Sequence, residues 1–417
     1  MSRSPARERA PGVWSTPGMV TLAALSFCGF AGYAALLPVA PLWVVRGGSD
    51  SAGAGLVNFV LLAATVATQF AVPALVRRLG WGPALTGGLV LLGAPSLLHV
   101  LTADLGVTLA LSAVRGVGFG VLTVAASAAA VLLVEPARRG AAIGAYSLAL
   151  ALPNVLLMPT GGWVADTLGF GWVFGVGALP LLGVPAALAL ARHLPERSTH
   201  AAGPGVAATG PTGTPATGTH TTAAGMSTAT AATRTTYLAL LAPTAVLLSV
   251  TLAGGAIITF APQLVQVPWL SAVGLLALGL TSTLTRWRIG AVADRIGGQR
   301  LLLPFLGLLV LSLLALAWLV RDPVGPGSAL WWVLACAAVG VSYGALQNLT
   351  MLQAFAAAGP RRVGAASAVW NAGYDTGTAV GSLLVGAVAV VAGFGWAMAL
   401  TAALCLLAVP LALRPRS

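Results

Sequence analysis

Apolar side chains follow one another along this chain in long continuous runs, separated by short clusters of charged residues. A helix needs about 20 apolar residues to cross the roughly 30 Å hydrocarbon core of a bilayer. Strands of a membrane barrel would instead alternate apolar and polar positions over about ten residues. The runs therefore predict membrane-spanning helices along most of the chain.

The uncharged intervals divide into twelve spans, six on each side of a segment rich in Ala, Thr, Gly and Pro. The predicted spans are 19–41, 51–76, 79–103, 105–134, 140–165, 167–191, two within 235–285 that are separated near Pro262 and Pro268, 301–320, one within 323–360, one from 363 to about 393, and 396–413. The domain organisation follows as an N-terminal segment (1–18), a six-helix half (19–191), a flexible linker (192–236), a second half (237–413) and a tail (414–417).

Charged residues are few, and most of the basic ones are predicted to lie on one side of the membrane. Of 417 residues 58% are hydrophobic and 7% are charged, against roughly 25% charged in soluble proteins, which excludes a soluble enzyme and a secreted disulfide scaffold. Eighteen of the 21 arginines fall on the side of the predicted termini and linker. Basic residues mark the cytoplasmic face, so both termini are expected in the cytoplasm of a plasma-membrane protein. The net charge of +12 then requires no nucleic acid partner.

The two halves repeat short motifs in the same order. The pairs are Arg78-Leu79-Gly80 with Arg295-Ile296-Gly297, Arg138-Arg139 with Arg361-Arg362, and Phe170-Gly171-Trp172 with Phe394-Gly395-Trp396. Parallel repeats of this kind are typical of transporters whose substrate path lies between the halves. The fold class predicted is an all-α membrane protein with twelve transmembrane helices in two pseudo-symmetric halves of six.

The segment from Gly290 to Arg300 reads GAVADRIGGQR and resembles the loop signature of the major facilitator superfamily. The resemblance covers nearly the whole chain apart from the linker. It implies a secondary transporter that works by alternating access, with a conformational gate at this loop formed by Gly290, Asp294, Arg295, Gly297 and Arg300. A solvated positive-inside loop is the alternative. The first-half copy has Arg77 at the acidic position and Pro73 at the leading glycine, so no gating role is carried over to it.

Two charged residues are predicted deep within spans, Arg115 and Asp375. A charge at this depth costs several kcal/mol unless it is paired or hydrated, and such residues usually face a cavity or a partner. Asp375 is expected to take up and release the coupling proton. Arg115 begins RGVGFG, which is similar to the family motif whose arginine is tied to proton coupling. Both are expected to border a shared watery path, and a structural ion pair is the alternative.

Polar residues in other spans supply candidates for the lining of a substrate cavity. These are Asn371, Tyr374, Tyr343, Gln347, Asn348, Asn58, Tyr33 and Asn154. An unpaired amide is costly in lipid, so each is expected to face inward, where it either contacts substrate or links helices. His99 is expected to lie at the outer end of its span, in the membrane interface.

The predicted function is proton-coupled efflux of a small apolar or amphipathic compound, because few charges line the expected cavity. Proton-coupled import of a sugar, organic acid or other metabolite is the alternative, and a membrane sensor that transports nothing is a third possibility. Without lysine the chain has no GxxxxGK[ST] loop, so ATP is not the expected energy source. The expected partners are a small-molecule substrate, protons and the bilayer. The chain is expected to act as a monomer, without cofactor, metal or catalytic residues.

Overall fold

The computed structural model describes residues 13–135, 138–194, 223–265, 267–322, 324–359 and 362–413. The described residues are almost entirely helical, and their only bridge pairing joins Val265 to Val324. The α-helices are α1 (Met19–Arg46), α2 (Ser51–Gln69), α3 (Val72–Leu79), α4 (Trp81–Leu98), α5 (Leu105–Leu132), α6 (Arg139–Thr167), α7 (Phe170–Gly177), α8 (Val184–Ala191), α9 (Ala223–Leu264), α10 (Pro268–Ile296), α11 (Gly298–Leu319), α12 (Ala329–Ala358), α13 (Val363–Leu406) and α14 (Val409–Leu413).

The number of spans agrees with the sequence prediction. Eleven helical stretches within the described residues are long and apolar enough to cross a membrane. The last of them contains Gly393, whose φ of +83° interrupts the helix, so that α13 comprises two successive spans. Gly393 lies where the eleventh span was predicted to end. The twelve-span, all-α fold class is therefore confirmed.

Some boundaries differ from the prediction. Span two ends at Gln69, and a separate short helix, α3, follows with a proline in its first turn, a position that proline favours. The last part of the predicted linker is helical, because α9 begins at Ala223 in an alanine-rich stretch of high helix propensity. Residues 195–222 of that linker lie outside the described residues.

The largest difference concerns the segment that follows span eight. The prediction ended this span at residue 285 because the next residue is charged, but α10 continues without a break to Ile296. It ends at Gly297, whose φ of +89° is a conformation that glycine adopts without strain. Gly290, Asp294 and Arg295 therefore lie on a helix rather than in a loop.

The backbone repeats as the sequence motifs do. Gly80 and Gly297 both have positive φ, of +88° and +89°, and Gly169 and Gly393 have +102° and +83°. In each pair the glycine separates two consecutive helices. Four left-handed glycines at matching motif positions support an internal duplication.

The described residues form two compact units. The first consists of those within Met1–Val39 and Ala64–Thr199, and the second of those within Ala40–Ala63 and His200–Ser417. In the first unit, α4 packs against α5, where Gly88 and Gly118 face each other. The end of α1 and much of α2 belong to the second unit, whereas the sequence repeat divides the chain near the linker.

The second unit is held together by close packing of α13 on α9 and of α12 on α10. Gly373, Gly377 and Gly381 lie one turn apart on α13 and face α9. A β-carbon at Gly377 would lie 2.7 Å from the carbonyl oxygen of Leu248, which is closer than side chains pack. Small residues at this spacing let two helices approach closely within a membrane. This close packing fixes the positions of the α13 side chains that face α10 and α12.

Candidate functional site

Arg286 is the centre of a polar cluster in the second unit. It lies four residues, or about 6 Å, from the middle of α10. Its Nη1 donates a hydrogen bond to Oε1 of Gln347 over 3.1 Å, and its guanidinium carbon lies 5.8 Å from the centre of the Trp370 ring. Asn348 donates from Nδ2 to the backbone carbonyl of Arg286 over 2.8 Å. Side chains from α12 and α13 thus hold the arginine in place.

Aromatic rings from α12 and α13 form the wall beside this arginine. The rings of Trp370 and Tyr374 are stacked, with centres 5.7 Å apart. The hydroxyl of Tyr343 donates to that of Tyr374 over 3.0 Å, and the indole Nε1 of Trp370 donates to Oγ1 of Thr350 over 3.2 Å. These bonds fix the orientation of the rings. We call Arg286, Tyr343, Gln347, Trp370 and Tyr374 the Arg286 cluster.

The Arg286 cluster combines an accessible cation with buried polar groups. Arg286 is exposed, whereas the side chains of Gln347, Tyr343 and Trp370 are buried. Gln347 is only 3% exposed, and its Nε2 has no hydrogen-bond partner among the described residues. A buried amide donor without a partner costs about 1–3 kcal/mol. The cluster therefore has unused donors next to an accessible positive charge.

Four of the predicted cavity residues, Tyr343, Gln347, Asn348 and Tyr374, come together around Arg286. Arg286 itself was not predicted, because the span was ended one residue before it. Arg286 lies within the helical stretch Pro268–Ile296, which is long and apolar enough to span a membrane, where the prediction had placed a loop. The glycine at position 297 was the available signal, since a long helix that ends there contains Arg286 eleven residues earlier.

Two other predicted residues of the second unit have different surroundings. Asn58 is buried and donates from Nδ2 to Oγ1 of Thr259 over 2.9 Å, so it links α2 to α9. Asn371 is exposed, and its Nδ2 donates to the carbonyl of Ser367 within the same helix over 2.8 Å. Asn58 therefore acts as a helix link, whereas Asn371 leaves its amide oxygen available at the surface.

Asp375 follows Tyr374 on α13 and is 8% exposed. It interacts electrostatically with Tyr374, which also interacts with Arg286. A carboxylate and a guanidinium thus act on the same phenol within one unit. This places the carboxylate expected to carry the proton next to the Arg286 cluster.

Arg115, in the first unit, is fully buried at 0% exposure. Its Nη2 donates to the carbonyl of Gly32 over 3.2 Å. No described residue accepts a hydrogen bond from its Nε or Nη1. The structure gives this arginine no accessible surface, so here it has no direct route to a solute.

Further unused polar atoms lie around Arg115. Thr108 and Ser112 are buried two turns and one turn before it on α5, and their hydroxyls have no partner among the described residues. His99 interacts electrostatically with Arg115 and packs against Phe174, with ring centres 5.4 Å apart. His99 lies near the end of its span, as expected, and its side chain is fully buried within the unit.

Tyr33 and Asn154 complete the predicted residues of the first unit. The Tyr33 ring stacks on Phe119 with centres 3.8 Å apart, and Tyr33 interacts electrostatically with Arg115. Asn154 donates to the carbonyl of Leu150 in its own helix over 2.8 Å. Tyr33 thus belongs to the surroundings of Arg115, and Asn154 satisfies its amide locally.

The predicted gate residues surround the junction of α10 and α11. Asp294, Arg295 and Arg300 are exposed, and no described residue forms an ion pair with Asp294. Gln299 anchors the start of α11 by donating to the carbonyl of Ala412 over 2.6 Å and accepting from Gln353 over 3.0 Å. The charged pair is therefore available to a partner, while the turn beside it is fixed.

Comparison with known proteins identifies relatives by sequence. Uncharacterized MFS-type transporters of Burkholderia mallei (strain SAVP1) and Burkholderia pseudomallei (strain K96243) are 38% identical over 97 residues. The match covers 23% of this chain and 23% of each relative, so it is confined to one part of both.

Solved structures resemble the whole fold. A bacterial homolog of the human lysosomal transporter Spinster, in an inward-facing and unoccupied conformation, matches with a TM-score of 0.72 and 14% identity over 95% of both chains. The nucleoside transporter NupG matches with a TM-score of 0.70 and 12% identity over 95% of this chain and all of its own. At such identities the likeness shows the fold alone.

A family-wide sequence profile covers most of the chain. The profile of the Major Facilitator Superfamily matches residues 22–373, a range that includes Arg115, Arg286 and the gate residues. Members of this family move small molecules across membranes and are not enzymes. The chain, with its twelve apolar spans, therefore belongs to the Major Facilitator Superfamily and is a multi-pass membrane protein.

Proposed function

We propose that the protein is a proton-coupled secondary transporter of a small amphipathic compound, acting in the plasma membrane with Asp375 as the proton carrier. The observation that carries the proposal is the position of Asp375. It is a nearly buried carboxylate on a spanning helix, and it acts on Tyr374 together with the accessible Arg286. Proton binding at Asp375 changes the charge beside the Arg286 cluster, which contains the unpartnered amide donor of Gln347.

Two modes of coupling follow from this arrangement. The sequence favoured efflux in exchange for protons, from the low charge expected in the cavity and from the Pro159-Thr160-Gly161-Gly162 stretch, which resembles in part a motif common in antiporters. Symport of an organic acid is the second candidate, and Arg286 favours it. An anion at Arg286 and a proton at Asp375 can be bound at the same time. The anion neutralises the positive charge of Arg286, and the proton neutralises the negative charge of Asp375.

The gate residues fit a conformational role in either mode. Asp294 and Arg295 lie at the exposed end of α10, two residues and one residue before Ile296, next to the fixed turn at Gly297. We infer that this pair binds a partner in one conformation of the transport cycle and releases it in another. Arg115 is proposed to act indirectly, through the buried polar groups around it.

The test uses purified protein in liposomes with an imposed proton gradient and a probe panel of ethidium, rhodamine, benzoate and salicylate. Proton movement is followed with a trapped pH-sensitive dye, for wild type beside Asp375→Asn and Asp375→Glu. Exit of a probe against entering protons identifies antiport, and joint movement in one direction identifies symport. Gradient-driven transport at the full wild-type rate in Asp375→Asn would remove Asp375 from the mechanism.

A further inference from the structure

The Arg286 cluster has the features of a binding site for an anion. Arg286 carries a permanent positive charge, and only one of its N–H groups is engaged by a described side chain, through the bond from Nη1 to Gln347. The side chain is accessible, although it lies against residues of α12 and α13. A guanidinium with free N–H groups is well suited to bind a carboxylate through two parallel hydrogen bonds.

Gln347 supplies a second, independent indication. Its Oε1 accepts from Arg286, which leaves its Nε2 as the free end of a buried side chain. The amide is 3% exposed, so solvent does not fully satisfy this donor. An acceptor placed next to Arg286 would satisfy it. The site therefore needs a ligand with negative or strongly accepting oxygen atoms.

The residues around these donors indicate which chemical group the ligand carries beside its negative charge. The Trp370 ring lies beside the guanidinium and is held by its bond to Thr350 and by stacking on Tyr374. The ring is only 6% exposed and contacts both Arg286 and Tyr374, so it offers a small apolar surface directly beside the guanidinium. Such a surface favours an apolar group attached to the anionic one. A free inorganic anion would leave that surface unused.

We propose that the Arg286 cluster binds the carboxylate of a small organic anion that carries an aromatic or other apolar group. The carboxylate lies against Arg286 and Nε2 of Gln347, and the apolar group lies along Trp370. The inference deepens the proposed function and rests on it for the view that the bound anion is a transported substrate. Binding itself depends only on the second unit and needs no proton gradient.

The experiment measures binding by isothermal titration calorimetry to the whole protein in nanodiscs of phosphatidylcholine. The probes are benzoate and naphthoate, each compared with the corresponding alcohol and ammonium ion. The wild type is expected to bind the carboxylates at least about tenfold more tightly than the alcohols, because a hydrogen bond to a charged group contributes at least that factor. The ammonium ions are expected to bind most weakly.

Arg286→Gln is expected to abolish the preference for carboxylates, and Arg286→Lys is expected to keep part of it. Arg288→Gln is the matched control, since Arg288 lies two residues away and stacks on Trp287 instead. Thermal unfolding of each variant shows that it is folded. Equal binding of carboxylate and alcohol, binding of none of the probes, or an unchanged preference in folded Arg286→Gln would each overturn the inference.

Two further arms separate the alternatives. Addition of phosphatidylglycerol to the nanodiscs tests a lipid headgroup as the anion, and competition with benzoate by this lipid would assign the site to lipid and overturn the proposal for a soluble anion. Asp375→Asn is expected to retain the carboxylate preference while losing proton coupling. A carboxylate preference with no coupling in the wild type would therefore reject the proposed function alone. Coupled transport of alcohols without a carboxylate preference would reject only the inference about the site.

Discussion

Replacement of Arg115 by methionine is expected to stabilise the protein. Arg115 is fully buried, with one hydrogen bond to the carbonyl of Gly32 and two N–H groups without a described partner. Each unpartnered buried donor costs roughly 1–3 kcal/mol, and loss of the one charged hydrogen bond costs about 1.5–3 kcal/mol. The two unpartnered groups together cost about 2–6 kcal/mol, which is more, so Arg115→Met gains about 0.5–3 kcal/mol. Methionine has a similar length and fills irregular space well.

The assay is thermal unfolding in detergent, followed with a thiol-reactive dye. The chain has suitable reporters of its own, because Cys336 and Cys405 are free and buried and become reactive when the helices separate. A gain of this size raises the midpoint by about 0.5–3 °C, because 1 kcal/mol corresponds to about 1 °C in a chain of 417 residues. Ser112→Ala is the control, since it removes a buried unpartnered hydroxyl from the same face of α5 without changing the charge, and its midpoint is expected to change by less.

The same variant is expected to lose proton-driven transport in the liposome assay, because the resemblance of the RGVGFG stretch to the family motif implies a role of Arg115 in coupling. A midpoint that falls by more than about 2 °C would refute the reasoning. The N–H groups would then be bound within the native protein, and the energetic argument from unpartnered atoms would not hold.

Two further predictions concern helix packing. Gly377→Val should lower the unfolding midpoint, because a β-carbon there meets the backbone of Leu248 and overpacking costs about 1–3 kcal/mol. Gly307→Val is the control, since no heavy atom lies within 4 Å of a β-carbon at that position. An equal effect of both substitutions would contradict the packing argument. Asn58→Leu and Thr259→Val should each destabilise the protein. A double-mutant cycle should give a coupling free energy of about 1 kcal/mol between the two side chains. Strictly additive effects would show that their 2.9 Å hydrogen bond contributes nothing to stability.

The spans could be predicted because each is a continuous apolar run, and lipid leaves a helix as the only way to satisfy the backbone of such a run. Gly393 was found from its repeated motif, and its positive φ agrees with that assignment. The start of α9 was not found, since a stretch of Ala and Thr has no apolar periodicity even where it is helical. Helix ends that depend on backbone conformation are visible in sequence only where glycine marks them.

The site was predicted in part. Tyr343, Gln347, Asn348 and Tyr374 were identified because polar residues in lipid must face inward. Arg286 was not, because a charged residue was taken to end the span, although neighbouring polar side chains allow an arginine to remain within the helix. The full burial of His99 and Arg115 depends on side chains from several helices, and spacing along one helix does not reveal it.

The segment 40–63 has a consequence for any transport cycle. It directly continues the first half of the chain, yet it packs within the second unit. Its contacts there include the Asn58–Thr259 hydrogen bond. In addition, Gly55 lies against the backbone of Ser382, and Gly386 lies against the backbone of Ser51. If the two units move as separate bodies in a transport cycle, the chain must bend near residues 39–40 and 63–64, within α1 and α2, where it passes from one unit to the other. A bulkier side chain at Gly55 or Gly386 would loosen the segment from the second unit, because a β-carbon at either position meets backbone atoms.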